Sequence, residues 1–479
     1  MKKILEFIAF VLVAFALIAV VSYAIADRET TFSAVYSEPE DSVDVLIVGS
    51  SHVNSGYIPS MLWEKNNLSA VNAFSWSQPM WVSYHYIVEA LKTQSPEYIV
   101  LEMYGMVYGH SYIMPEEIDK TSYSNSFNLL PGWNRWQLIK TSEFCGLDLR
   151  KAQEFLYISR YHTRWKTFDW SYLSYDPRKQ HDYLKGYGYL TQAAGVETPT
   201  AEIAAEELVP YEYCVEYLDK IVSLCEKKGI KLIFTLTPYA YATEETGVLN
   251  WVERYSAEKG IPFFNYLYGD DYERIGFDYS RDLADAGHCN WYGAVKITAD
   301  LCDYLESVGA SAATKEEHVQ YALLQQDYSR FERVPALNAV MVHTQLKDWL
   351  QAAVQDDCIT LLINTAAAEA SVLDILNAGL AQNGITVAAD DSLLVCGTDA
   401  EAAQGKISFA MFGADGTAEF AADTAEILLN GTAVPGGDAA PVKLELFDNV
   451  LQRPVMAAWL ENGVLKTKEF TSDILDNYK

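Results

Sequence analysis

The segment Val45-Leu46-Ile47-Val48-Gly49-Ser50-Ser51-His52 runs a continuous apolar stretch into a small-residue turn that ends in a hydroxyl. Far downstream, Asp285-Ala286-Gly287-His288 places a carboxylate and an imidazole three residues apart. A serine becomes a nucleophile only beside a base, and that base works only when an acid orients it. Across a turn, Asp285 can take the Nδ1–H of His288 and leave Nε2 free for a serine hydroxyl. Ser51, His288 and Asp285 are therefore the candidate catalytic residues. The blander alternatives are a polar turn that caps the next helix, at Gly49-Ser50-Ser51, and an ordinary surface acid and imidazole at Asp285 and His288.

Such a trio works only if a rigid scaffold delivers it. From 42 to 305 the pattern alternates strand and helix. Strands are expected over 43–48, 70–74, 97–103, 230–236 and 261–264. Helices are expected near 58–66, 80–93, 211–228, 249–259 and 291–305. Gly229 and Gly260 stand where the third and fourth of these helices should stop. Continuous apolar strands such as 97–103 suit a sheet buried on both faces. The expected fold class is α/β, a doubly wound parallel sheet with ligands at the C-terminal ends of its strands. Ser51 falls at such an end.

Two parts lie outside that core. Residues 104–207 form a long insertion dense in Tyr and Trp, among them Trp133, Trp136, Trp165 and Trp170. Exposed aromatic rings there would pack against sugar faces, with His162, Arg164 and Trp165 as candidate substrate-binding residues. The alternative is that most of these rings are core of an irregular subdomain. After a polar connector over 306–334, an Ala- and Asp-rich segment over 335–479 reads as a small α+β accessory domain.

Composition bounds the partners. The 479 residues carry 35 Lys and Arg against 65 Asp and Glu, a formal charge of −30. Phosphate backbones are repelled by such a chain, so no nucleic acid is expected. An uncharged apolar run over 7–26 follows Lys2-Lys3 and precedes Asp27-Arg28-Glu29. That is the length of a bilayer-spanning helix, with the bulk of the chain extracytoplasmic. Segment 1–29 is thus expected to be a signal anchor in the cell membrane. Secretion after cleavage near Ala26 is the alternative, since Ala24-Ile25-Ala26 is a small-x-small site. Seven cysteines without a CxxC pair imply neither a disulfide framework nor a metal site. No cofactor is expected.

Gly49-Ser50-Ser51-His52, followed by Asp285-x-x-His288-x-Asn290-x-x-Gly293, resembles the SGNH (GDSL-type) hydrolase superfamily, and most its exported, membrane-anchored branch. The resemblance covers 42–305 and rests on the first and last blocks. It implies a three-layer, flavodoxin-like fold with Ser51 as nucleophile and His288 and Asp285 as its partners. The middle blocks depart from the pattern. No glycine occurs in Val71-Asn72-Ala73-Phe74-Ser75-Trp76-Ser77-Gln78, and Leu101-Glu102-Met103-Tyr104-Gly105 replaces the family's Gly-x-Asn-Asp. The oxyanion candidates are accordingly the backbone N–H of Ser77, Asn72 and the Tyr104 hydroxyl. The C-terminal segment is similar to an interleukin-like accessory domain, in 349–364 and 427–448.

These features lead to an expected extracytoplasmic serine esterase or O-acyltransferase acting on acyl esters of a cell-envelope polysaccharide. Its partners would be the glycan or acyl donor and a multipass membrane acyltransferase. The competing reading is a non-catalytic scaffold that binds glycan or a partner during envelope assembly. Activity should fall at acid pH, as the imidazole of His288 protonates.

Overall fold

The computed structural model describes residues 2–25, 30–108, 122–144, 163–168, 170–310, 315–366, 368–402, 406–412, 414–421, 424–435, 442–461 and 464–470. Internal contacts divide the chain into two units, Met1–Tyr328 and Ser329–Lys479. The division falls inside the helix Tyr321–Met341, so the segment read as a connector is partly helical.

The first unit is built on five parallel strands, β1 (Val45–Gly49), β2 (Ala70–Phe74), β3 (Tyr98–Glu102), β4 (Lys231–Leu236) and β5 (Phe263–Asn265), in the order β2-β1-β3-β4-β5. This is a doubly wound order, and its direction reverses between β1 and β3. The α/β class expected from the alternation is what the structure contains. Every residue of β1, β2 and β3 is buried. Because strand side chains alternate, each strand feeds two cores. Leu46, Val48, Ile99 and Leu101 pack with α5 (Met80–Ala90) and the helix Glu212–Lys228. Val45, Ile47, Tyr98 and Val100 pack on the other face, with α4 (Pro59–Asn66) and the helix Trp291–Ser307.

Local chemistry sets the ends of these elements. Gly229 closes the helix Glu212–Lys228 at φ 72°, a left-handed turn that favours glycine. The helix expected from 249 starts earlier, at Thr243. Its first turn, Thr243-Glu244-Glu245, has no apolar period, but the Ala242 N–H donates to Glu245 Oε2 at 2.8 Å.

At the N-terminus, α1 (Lys2–Ile25) is an apolar helix with mean hydropathy 3.0 over its best 18 residues. Among the described residues it is the one helix long and apolar enough to cross a membrane.

Among the described residues the second unit contains two antiparallel sheets, one of six strands in the order Val464–Glu469, Arg453–Glu461, Lys443–Asp448, Ile359–Asn364, Ser392–Cys396 and Asp399–Ala402, and one of four in the order Thr432–Ala433, Ile427–Leu429, Ala414–Phe420 and Lys406–Met411. The helices Leu346–Val354 and Ala370–Leu380 pack on the larger sheet through Trp349, Leu350, Leu376 and Leu380.

The insertion does more than present aromatics. Its later part runs as an irregular strap along the first unit. Asn72 N–H donates to Lys185 O at 2.9 Å, and Gly188 N–H donates to Asn54 O at 2.7 Å. Under the strap, Lys185 Nζ lies 2.6 Å from Glu38 Oε1 and 2.7 Å from Asp327 Oδ2, all three buried.

Candidate active site

Ser51 is the first residue of α3 (Ser51–Gly56), a six-residue helix that begins directly at the end of β1. Ser50 caps it, its hydroxyl accepting the His52 N–H at 3.3 Å. The polar-turn reading of Gly49-Ser50-Ser51 is therefore correct for Ser50 and leaves Ser51 free for another task. Gly49 allows the close approach. A Cβ there would stand 2.7 Å from both Glu102 Cβ and Val53 Cγ2.

Residues 283–289 form a tight loop closed at its base and held at its middle. Ala284 N–H donates to His288 O at 2.8 Å, and Ala240 N–H donates to Ala286 O at 2.7 Å. At its tip, Asp285 Oδ1 accepts the N–H groups of Gly287 and His288 at 2.7 and 3.0 Å. His288 Nδ1 lies 2.9 Å from Asp285 Oδ1, and His288 Nε2 lies 2.8 Å from Ser51 Oγ. Partial burial works against ionisation of Asp285, but the Gly287 N–H and His288 outweigh it and hold the carboxyl below its usual range. Asp285 is 57% exposed and His288 31%, so this side of the site is open to solvent.

The two later motif positions are structural. Asn290 caps the helix Trp291–Ser307 through Oδ1, while its Nδ2 donates to Gln192 O and Arg281 O. A side chain at Gly293 would collide with Asp282 O and the Phe277 ring. Together they hold the loop that carries His288.

The oxyanion candidates fare differently. Asn72 pairs with Ile47, two residues below the Gly49–Phe74 pair at the sheet edge. Its Nδ2 donates to Tyr57 O at 2.9 Å and Val53 O at 3.2 Å. It anchors α3 to β2 from beneath and points away from the edge, which corrects its expected role. Ser77 lies on the turn after β2 at φ 48°, on the same edge as Ser51. Tyr104 follows β3, its ring stacked 4.1 Å from that of His52. Burial pushes its hydroxyl up to about 12, so it stays a neutral donor. Gly105 lets the turn after β3 close on Gln78 O, which packs the Tyr104 and Ser77 turns together. Of the substrate candidates, His162 lies outside the described residues. Arg164 and Trp165 occupy the short turn Arg164–Thr167, with Trp165 turned to solvent. Neither belongs to the hydrogen-bonded trio.

Glu102 escaped the sequence reading, and His52, read as a hydrogen-bonding residue and not a base, finds a distant partner. Glu102, at the end of β3, accepts the Tyr104 N–H at 3.0 Å and the Ser50 hydroxyl at 3.4 Å. Full burial raises its carboxyl to about 8, with the Tyr104 and Ser50 hydrogen bonds opposing. His52 Nδ1 lies 2.8 Å from Thr237 Oγ1. Burial, helped by the neighbouring His288, lowers its imidazole to about 3. The Glu102–Ser50 and His52–Thr237 contacts join residues brought together by strand order, and neither pairing has a sequence signal.

The six cysteines described, Cys214, Cys225, Cys289, Cys302, Cys358 and Cys396, are free thiols. Among the described residues no cluster of His, Cys, Asp or Glu is arranged to hold a metal. Fold and site define an α/β protein with a Ser–His–Asp trio at the switch point of a doubly wound sheet. The chain matches no protein-family model and no curated protein.

Proposed function

We propose that this protein is a membrane-anchored, extracytoplasmic serine esterase or O-acyltransferase of the SGNH type, acting on acyl esters of a cell-envelope polysaccharide. The observation that supports it most is the unbroken relay from Asp285 through His288 to Ser51 Oγ. In this reading Ser51 Oγ attacks the ester carbonyl as His288 Nε2 takes its proton. Asp285 holds the imidazole tautomer and offsets the imidazolium charge. The backbone N–H groups of Ser51 and Ser77 receive the oxyanion. The Ser51 N–H suits this because a first-turn donor has no intrahelical acceptor. Collapse of the tetrahedral adduct expels the alcohol, which regains the proton from His288, and leaves an acyl-Ser51. Water or a sugar hydroxyl then takes the acyl group by the reverse proton path. An open Asp285–His288 side gives either acceptor access.

The test is hydrolysis of p-nitrophenyl acetate by the full chain in detergent, beside Ser51→Ala and His288→Ala. Fluorophosphonate labelling is followed in parallel. Loss of turnover in both variants and of labelling in Ser51→Ala is expected. Equal rates in all three chains, with no labelling at Ser51, would leave a binding scaffold.

A further inference from the structure

We propose that the face of the first unit bearing Trp76, Trp133, Trp165 and Trp170 seats in the bilayer interface from which α1 emerges, turning the Ser51 edge of the sheet to the membrane. The inference rests on α1 remaining attached as a span.

The tether comes first. Thr31 Oγ1 donates to Phe74 O at 2.6 Å, and Phe74 pairs with Gly49, two residues before Ser51. Thr31 lies six steps along the chain from Ile25, a reach of about 20 Å at most. The C-terminal end of β2, next to the Ser51 turn, therefore lies close to the end of the apolar helix.

Each exposed tryptophan lies beside a segment tied to α1 or to the chain that follows it. Those described as exposed are Trp76, Trp133, Trp165 and Trp170, at 43, 72, 66 and 79%. Trp76 is two residues beyond Phe74. Trp133 follows the segment held to the post-anchor chain by Thr30 Oγ1 donating to Asn128 O at 2.7 Å and Leu130 N–H donating to the Tyr36 hydroxyl at 2.9 Å. Trp165 and Trp170, with exposed Phe168 and Leu173, flank the turn Ser171–Ser174, which packs against α1. Soluble surfaces rarely expose several tryptophans around one tether, whereas tryptophan is enriched at membrane–water interfaces.

Charge fits the same partner. At −30 overall, the chain gains nothing from general attraction to anionic headgroups. An aromatic seat does not need it. Lys166 and Lys179 are exposed on the same stretch and suit headgroup phosphates, while Arg178 is already held by Asp176 in a two-bond fork. An acyl donor reaching a site so oriented would come from the membrane phase.

α1 contains no tryptophan, so any contact between tryptophan and lipid reports on the folded body. The full chain is reconstituted into phosphatidylcholine vesicles with brominated acyl chains, and tryptophan emission is compared with that in unbrominated vesicles. Strong quenching is expected. It should be largely lost when Trp76, Trp133, Trp165 and Trp170 are all replaced by Phe, which keeps the apolar seat and removes the reporters. Trp76→Phe alone should remove a measurable share, because Trp76 marks the sheet edge. Absence of quenching in the native chain, or quenching unchanged in the fourfold variant, would overturn the seat. An unchanged signal in Trp76→Phe would overturn the orientation. Hydrolysis of p-nitrophenyl acetate is read separately, so failure of the esterase reading leaves this result intact.

Discussion

His52 Nδ1 and Thr237 Oγ1 stand 2.8 Å apart, joining the turn after β1 to the end of β4. The His52 ring lies 5.6 Å from that of His288, so two imidazoles of opposite character share the site. One is sealed between Tyr104 and Tyr239, and the other faces solvent.

Burial keeps His52 neutral, and this has a pH consequence. With the folded value lowered to about 3, the unfolded chain takes up a proton below pH 6.5 that the folded chain refuses. His52 then costs stability progressively as pH falls below 6.5, by at most about 1.4 kcal/mol per unit. His85, lowered to about 4 by burial, adds a similar slope. Denaturant unfolding of His52→Gln should show a shallower loss between pH 6.5 and 4.5 than the native chain. Identical slopes would mean that His52 titrates normally.

Glu102 has the opposite sign. Its carboxyl is raised from 4.5 to about 8, so its contribution is complete below pH 4.5 and declines as pH rises through 8. Glu102→Gln should match the native chain at pH 4 and exceed it at pH 8. The gain approaches about 1.4 kcal/mol for each unit above 4.5 if the whole shift is realised. Unfolding midpoints at the two pH values measure this. An equal difference at both would refute a neutral Glu102.

Asp285→Asn preserves an acceptor for the Gly287 and His288 N–H groups but removes the charge facing Nδ1. In a buried triad the same change costs about 10⁴ in turnover. Here the carboxylate is more than half exposed, and water partly replaces it. We expect a loss of about 10²–10³ in kcat, with KM for p-nitrophenyl acetate nearly unchanged. A native rate would remove Asp285 from the mechanism.

Asn72→Ala separates scaffold from catalysis. It leaves the Tyr57 and Val53 carbonyls without their donor, at about 1–3 kcal/mol. Turnover per folded molecule should stay within a few-fold of native, because Asn72 lies below the edge. A hundredfold fall in kcat without loss of stability would restore it as an oxyanion donor.

Lys185→Met leaves Glu38 and Asp327 buried without their shared cation. Breaking such a cluster costs about 3–5 kcal/mol. Because the Lys185 carbonyl also holds Asn72 N–H, limited proteolysis should cut the strap near 181–188 before the rest of the first unit unfolds. Cooperative loss with no early cut would show that the strap is integral to the core.

The sequence by itself determined the strands, because full burial on two faces demands apolar runs such as 98–101. It also determined Gly229 as a helix end, since a left-handed residue favours glycine. Ser51, Asp285 and His288 were legible because their chemistry depends on residue type and short spacing. Tertiary structure alone decided the rest. Strand order β2-β1-β3-β4-β5 brings residues 237 apart to 2.8 Å at Ser51 and His288. The same order buries Glu102 behind Ser50, and it sets Asn72 two pairs below the edge. Periodicity states which face a side chain occupies. It carries no information about which distant strand lies alongside, and that neighbour sets burial, protonation and reach.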